Sequence, residues 1–341
     1  MNQPSNESPL VTVVIVPRES FNMAHEVAQR ILDLTTVPFK MIIMEGHAPE
    51  YRRNQLRAIA AKHPNVKIVY SDRWKFPHQM VNEAIPMIDT KYVGFIDNDV
   101  EIFPGCFENL VKTAEEHGAD CVHPIYLTTK VDDPRGNIIH VAEGTVVRQM
   151  LPGGKWFLDS VMTGSGTHLE QYPDKYAKPS EYFEWHAVLF SKRLLDTVGP
   201  LNDIMISEHL DYTFRIQQAG FKILLEPKAV GAYQYDRIWN LRGEDREYMI
   251  FRWNPAEAEK SLKQFAARWN LDESSINRRL YWCTEHVGKV KSTYLHNRII
   301  NKLRRMVGMQ NMPWVPGERY KGELKPDMPA EIKATYGLTS Y

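Results

Sequence analysis

Apolar runs alternate with amphipathic stretches through the first third of the chain. Val11 to Val16 is an uninterrupted β-rich run, the pattern of a strand buried on both faces. A helical pattern follows from about Met23 to Leu34. Phe39 to Met44 predicts a second strand that closes on Glu45-Gly46, and Pro49 to Lys62 reads as a charged helix. Val66 to Tyr70 predicts a third strand, Pro77 to Met87 a short helix, and Tyr92 to Ile96 a fourth strand. Alternation at this spacing predicts βαβ units, hence an α/β fold with a mostly parallel, doubly wound sheet flanked by helices and right-handed crossovers.

Beyond Pro104-Gly105 the pattern predicts a helix over Phe107 to His117 and a strand over Ala119 to Pro124. It weakens from Tyr126 to Pro179, where loops with short strands such as Gly144 to Arg148 are expected. Long loops inside a compact domain are often functional. The Gly153-Gly154 and Gly164-Ser165-Gly166 turns suit either a mobile loop or plain linkage. Pattern returns at Glu184 to Phe190, followed by helices over Ser191 to Thr197 and Glu208 to Ala219, the second stopped by Gly220. Phe221 to Leu225 predicts a strand. After Arg237 the character changes to long helices, Ala256 to Trp269 and Ser274 to Val307. From about Met312 a Pro- and Gly-rich stretch is expected to drape over the surface.

Composition narrows the class. The 341 residues carry 42 basic and 42 acidic side chains, which argues against a nucleic-acid binder. Cys106, Cys121 and Cys283 form no CxxC or metal-type spacing and suit a reducing compartment. Residues 1–9 read as a flexible tail without a signal-peptide pattern, and no stretch approaches 18 apolar residues. A soluble, cytoplasmic protein is expected, at most peripheral at the inner face of a membrane. Oligomeric state is not legible.

The candidate chemistry starts at the fourth strand, which runs into Asp97-Asn98-Asp99. In an extended segment residues i and i+2 project to one side. Two carboxylates at a strand's carboxyl end, where open α/β sheets bind ligands, suit Mg²⁺ or Mn²⁺ and through it a diphosphate. Asp and Asn equally favour a plain β-turn. GxxxxGK[ST] is absent, which excludes a P-loop hydrolase.

Four segments in order carry a resemblance. They are the first strand; Asn82-Glu83-Ala84-Ile85 ahead of Tyr92 to Val100; Glu184-Trp185-His186-Ala187-Val188-Leu189-Phe190 with Val198-Gly199-Pro200-Leu201; and Ser207 to Arg215 with Ala219-Gly220-Phe221-Lys222 and Glu226-Pro227. Over about residues 10 to 235 the chain resembles glycosyltransferase family 2, the inverting, DxD-containing enzymes of GT-A fold. Phe265 to Asn270 (FAARWN) is similar to an "F..KWG" ending of some members. Three departures stand out. The second strand ends on Glu45 where an Asp is usual. Glu208-His209 stands where the family has two acids. The strand after Pro227 ends Ala232-Tyr233-Gln234, without the family's terminal histidine.

The resemblance implies a metal-dependent inverting transfer of a hexose from a nucleotide sugar, a UDP-sugar first, to a hydroxyl of a glycan or lipid-linked saccharide. A catalytic domain over 10–236 is implied, with a nucleotide-sugar half to about 125, an acceptor half beyond, and a helical extension over 237–341. Asp99 would hold the divalent cation, with Asp97 assisting it or binding the ribose. Glu208 would be the base that deprotonates the acceptor, with His209 the alternative. Pro17, Arg18, Glu19, Glu45 and Asn82 are the expected donor contacts, Arg18 toward phosphate and Glu45 toward the base; His78 lies nearby. Glu184, Trp185, His186 and Asp211 are the expected acceptor contacts, Trp185 as an aromatic platform. Asp211 and Arg215 stand i, i+4 and suit a structural pair. The basic stretch Asn297 to Met306 suits a solvated helix face or peripheral contact with an anionic membrane. Competing readings are a non-catalytic saccharide-binding protein and a sugar-phosphate nucleotidyltransferase. The second lacks its Gly-rich, basic opening loop here.

Overall fold

The computed structural model describes residues 8–130, 133–309, 332 and 335. The expected tail over residues 1–9 falls mostly outside them, as does nearly all of the stretch beyond Met312. In chain order the elements are β1 (Val11–Val16), α1 (Ala24–Leu34), β2 (Phe39–Met44), α2 (Glu50–Ala60), β3 (Val66–Val69), α3 (Pro77–Ala84), β4 (Tyr92–Asp97), β5 (Val100–Ile102), α4 (Cys106–His117), β6 (Cys121–Lys130), β7 (Asp133–Val141), β8 (Glu143–Met150), β9 (Trp156–Thr163), β10 (Lys178–Pro179), β11 (Ala187–Ser191), α5 (Lys192–Val198), α6 (Glu208–Gln218), β12 (Ile223–Tyr233), α7 (Tyr235–Ile238), α8 (Glu244–Arg252), α9 (Pro255–Trp269), α10 (Ser274–Ser292) and α11 (Leu295–Met306).

The chain divides into two compact units. One holds the chain up to Val146 with Ser160–Asp203 and Ser207–Asp245; the other holds Val147–Asp159, Ile204–Ile206 and the chain from Arg246.

In the first unit the main sheet runs β10-β12-β6-β11-β4-β1-β2-β3. The parallel part, β4-β1-β2-β3, is the predicted one. β11 then enters antiparallel between β4 and β6, so the sheet is mixed. β1 shows why the first apolar run carries no polar alternation. Val11, Val13 and Ile15 join a core with α1, α2 and α4, while Val14 and Val16 join another with α3, α5 and α6. Both faces are covered, so both residue parities are apolar. Gly94 is required in β4, because a Cβ there would lie 2.4 Å from Phe107 Cε1.

The stretch expected to be mostly loop instead forms strands, on the main sheet and in a separate pair. β7 folds back antiparallel on β6, and β8 pairs with β9. Register shifts between Tyr126 and Leu127 and between Thr128 and Lys130 blur the alternation that would have announced these strands. β12 also runs far beyond the predicted Leu225. It shifts register between Glu226 and Val230, around Pro227, then continues to pair with β6 and with β5. Proline removes a ladder donor, which hid the continuation.

In the second unit α9 and α10 pack through Ala258, Leu262, Phe265, Leu280, Cys283 and Val287, all buried. Asn254 caps α9 by accepting from the N–H groups of Ala256 and Glu257, with Pro255 following it. Asn270 ends the helix in the left-handed region (φ 52°), a conformation Asn tolerates. The single helix expected over Ser274 to Val307 is two. Ser292 and Thr293 hydroxyls donate to the Lys289 and Val290 carbonyls, and the Asn297 amide donates to the Lys291 carbonyl at 2.7 Å. These side chains take the last-turn acceptors of α10, and Tyr294 adopts extended backbone. The three cysteines are buried and form no disulfide. Among the described residues no helix is long and apolar enough to cross a membrane.

Candidate active site

The site forms where β1, β4 and β12 end in the first unit. Val16 is in register with Asp97, and Tyr233 with Val100. Residues 98 and 99 are a turn between β4 and β5, so the two acids do not converge through strand alternation. The turn is held by Asn98. Its backbone N–H donates to the Val16 carbonyl (2.9 Å), its Oδ1 accepts from the Arg18 N–H (3.1 Å), and its Nδ2 donates to the Ser20 carbonyl (2.6 Å). The Gln234 N–H donates to the Asp99 carbonyl (3.0 Å) and fastens the end of β12 to the same turn. The tripeptide is thus a turn, held in shape by Asn98.

Arg18 is the electrostatic centre. Its guanidinium lies 3.5 Å from Asp97 Oδ2, 3.6 Å from Glu19 Oε1 and 3.3 Å from Glu208 Oε1, and all four side chains are buried. Burial pulls its pKa down, but Asp97, Glu208, Glu19 and Asp99 outweigh that and hold it well above the usual value. One cation thus faces several buried acids, and the balance is negative. Burial, with the charges of Asp97 and Glu19, pushes the Asp99 carboxyl well above its ordinary pKa. Both Asp99 side-chain oxygens are inaccessible to water and accept no hydrogen bond. Buried carboxylate oxygens are rarely left so. An orphaned hard-oxygen donor in a net-negative pocket fits a divalent cation, with Asp97 and Asp99 as the residues to hold it. Among the described residues no group of three or more His, Cys, Asp or Glu is placed to ligate a metal.

Glu208 opens α6 and Ser207 precedes it at φ 65°, a left-handed conformation in a buried non-glycine residue. Strain of this kind gathers at functional sites. His209 Nε2 lies 3.7 Å from Glu184 Oε1, and its Nδ1 is buried without a hydrogen bond. His186 Nδ1 is 3.1 Å from Asp97 Oδ2, and its ring stacks on Tyr233 at 4.7 Å between centroids. Burial, then the Arg18 charge, pulls His186 down to about 4, so it is neutral. Sequence reasoning missed the group around it. Tyr233 and His140 stack together, and the Tyr126 hydroxyl donates to the Glu184 and Ala187 carbonyls. β7 carries His140, and the weak patterning of that strand concealed it.

Three expected contacts are otherwise engaged. Glu45, expected at the donor base, accepts from the Ala48 N–H (2.5 Å), Arg53 Nε (2.6 Å), the His47 N–H (3.0 Å) and the Ser71 N–H (3.2 Å). Four donors fill its acceptor sites and make it the organiser of the turn after β2. Asn82 both donates to and accepts from the Leu201 peptide at 2.8 Å, which pins α3 to the Val198–Leu201 segment. Trp185 is 2 % exposed and packs among Phe95, Phe183, Phe190 and Tyr212, so it is core and no platform for a sugar. Asp211 is buried and accepts from Asn202 (2.7 Å), while Arg215 donates to the Val198 and Pro200 carbonyls. Pro17 is buried beside Gly46, and His78 bonds Asp203 at 2.9 Å.

Residues 12–159 match the family model described as Glycosyl transferase family 2. Over this segment the chain is similar to glycosyltransferase family 2. The match spans the Arg18 loop and the Asp97-Asn98-Asp99 turn, and stops short of Glu208. No curated protein sequence matches the chain. Among solved structures, the glycosyltransferase fold is shared with GalNAc-T7, crystallised with UDP, GalNAc and Mn²⁺. The identity is 12 %, the TM-score 0.50, and the likeness covers 85 % of this chain and 58 % of that one. The chain therefore spans little more than half the length of that protein.

Proposed function

We propose that the protein is a metal-dependent inverting glycosyltransferase that moves a hexose from a UDP-sugar to a hydroxyl of a glycan or lipid-linked saccharide. The observation that carries this reading is Asp99. A buried carboxylate with two unsatisfied oxygens, beside Asp97 and inside the segment that matches family 2, is built to receive a cation. When bound, that cation neutralises charge on the departing diphosphate. GalNAc-T7 was crystallised with UDP and Mn²⁺, which supports the choice of nucleotide and metal.

The residues of the chain supply the rest. Arg18 is a fixed cation at the mouth of β1 and suits a phosphate oxygen. Glu208 is the base toward the acceptor hydroxyl. In the donor-free protein its carboxylate is held by Arg18, and a base so paired is weak. A diphosphate competes with Glu208 for Arg18 and releases it, so deprotonation follows donor binding. His209, beside Glu184, shapes the acceptor side, and His186 stays neutral and orients Asp97.

The test is donor breakdown without acceptor. The protein with UDP-sugars and Mn²⁺ releases UDP slowly, chelation stops it, and Asp99→Ala abolishes it. No release from any of a panel of nucleotide sugars, with binding intact, identifies a saccharide-binding protein without chemistry instead.

A further inference from the structure

A surface helix ordinarily buries its apolar stripe and shows water its polar face. α11, in the second unit, does the reverse. Its buried side chains are Asn297 (3 % exposed) and Asn301 (6 %). Leu295, Ile299, Leu303 and Met306 are exposed at 72, 52, 57 and 73 %. At about 100° per residue these four fall on one arc roughly 80° wide, opposite the two asparagines. Ile300 and Val307 widen the same exposed face.

Charge borders this stripe. Arg298, Lys302 and Arg305 lie along one edge of the arc and Arg304 beyond the other. Between Lys289 and Met309 the chain carries six basic residues, Lys289, Lys291, Arg298, Lys302, Arg304 and Arg305, and no acid. Leu295, Ile299, Arg298, Lys302 and Arg305 share the lining of one open groove of about 520 Å³. An apolar band with cationic margins matches a helix that lies in a membrane interface, its side chains at the headgroup–acyl boundary and its cations on lipid phosphates. A second copy fits poorly, because a two-fold interface would set cationic margin against cationic margin.

We propose that α11 docks the protein on an anionic lipid surface, with Leu295, Ile299, Leu303 and Met306 inserted and the flanking Arg and Lys on the headgroups. This stands apart from the sugar-transfer reading and survives its failure.

Co-sedimentation of the full chain with vesicles tests it. The protein should pellet with phosphatidylcholine vesicles that contain phosphatidylglycerol, not with phosphatidylcholine alone, and salt should weaken the binding. Lys302→Ala should lower partitioning roughly fivefold, the share of one basic residue at such a surface. Ile299→Asp and Leu303→Asp should each lower it tenfold or more. Because these side chains face solvent, circular dichroism should be unchanged. Equal binding to neutral and anionic vesicles, no binding to either, or variants that bind like the parent would overturn the proposal. So would a dimer in sedimentation velocity that Leu303→Asp dissolves, since the stripe would then belong to a second copy.

Discussion

Arg18 Nη1 lies 3.3 Å from Glu208 Oε1, although 190 residues separate them in sequence. The same guanidinium reaches Asp97 at 3.5 Å, so one cation ties the loop after β1 to the end of β4 and the first turn of α6. All of these groups are buried, and removing one partner of a buried ion pair leaves uncompensated charge.

Arg18→Ala should therefore cost of the order of 3–5 kcal/mol of stability, measured by denaturant unfolding. Arg18→Lys should recover part of that, because it restores charge without the planar fork. A loss below about 1 kcal/mol in the alanine variant would mean that the acids around Arg18 are solvated.

Glu45 should behave as a structural residue. Glu45→Ala orphans four donors, two of them N–H groups of the turn at His47 and Ala48. A loss of about 2–4 kcal/mol is expected in urea unfolding, at 1–3 kcal/mol per buried group left unsatisfied with partial relaxation. Affinity for a nucleoside diphosphate should fall only as far as folding does. A selective loss of nucleotide affinity at full stability would return Glu45 to the donor pocket.

The parallel core was legible because Val11–Val16, Met41–Met44 and Tyr92–Ile96 are buried on both faces and, Thr12 apart, carry no polar side chain but the Tyr92 hydroxyl. The Asp97 and Asp99 pair was visible as residue types, but the turn that carries Asp99 is shaped by the Asn98 hydrogen bonds to Arg18 and Ser20, which no periodicity encodes. Trp185 and Asn82 misled for one reason. Aromatic and amide side chains look alike in sequence whether they face a ligand or the protein's own interior, and here Phe95 and the Leu201 peptide claim them. His140 and Tyr233 were hidden because a bulge-ridden strand and a proline-broken strand carry them beside His186.

His123 sets a pH dependence. It is buried, and burial lowers its pKa to about 4. The unfolded chain thus binds a proton near 6.5 that the folded protein refuses until about 4. Stability should be complete above about pH 6.5 and fall as pH drops toward 4, by roughly 3 kcal/mol at most for this group. His123→Asn should flatten the slope of unfolding free energy against pH by up to one proton across that window. An unchanged slope would show that His123 is solvated.

Asp99 works in the opposite direction. Its folded pKa is raised, so the protonated form stabilises the metal-free protein at low pH, and that contribution is lost as pH rises through the folded pKa. At neutral pH, Asp99→Asn should raise the melting temperature of the chelator-treated protein. A lower melting temperature would mean that the carboxylate has partners after all.

Thermal unfolding with a panel of nucleoside diphosphates, with and without Mn²⁺, bears most directly on the proposal that Asp97 and Asp99 would hold a divalent cation for a diphosphate. UDP with Mn²⁺ together should stabilise the native protein, by about 2.7 kcal/mol at a hundredfold excess over Kd, each alone should do far less, and Asp99→Asn should erase the joint effect. If no diphosphate with Mn²⁺ at millimolar concentration shifts the transition, or if Asp99→Asn responds as the native protein does, the account is wrong.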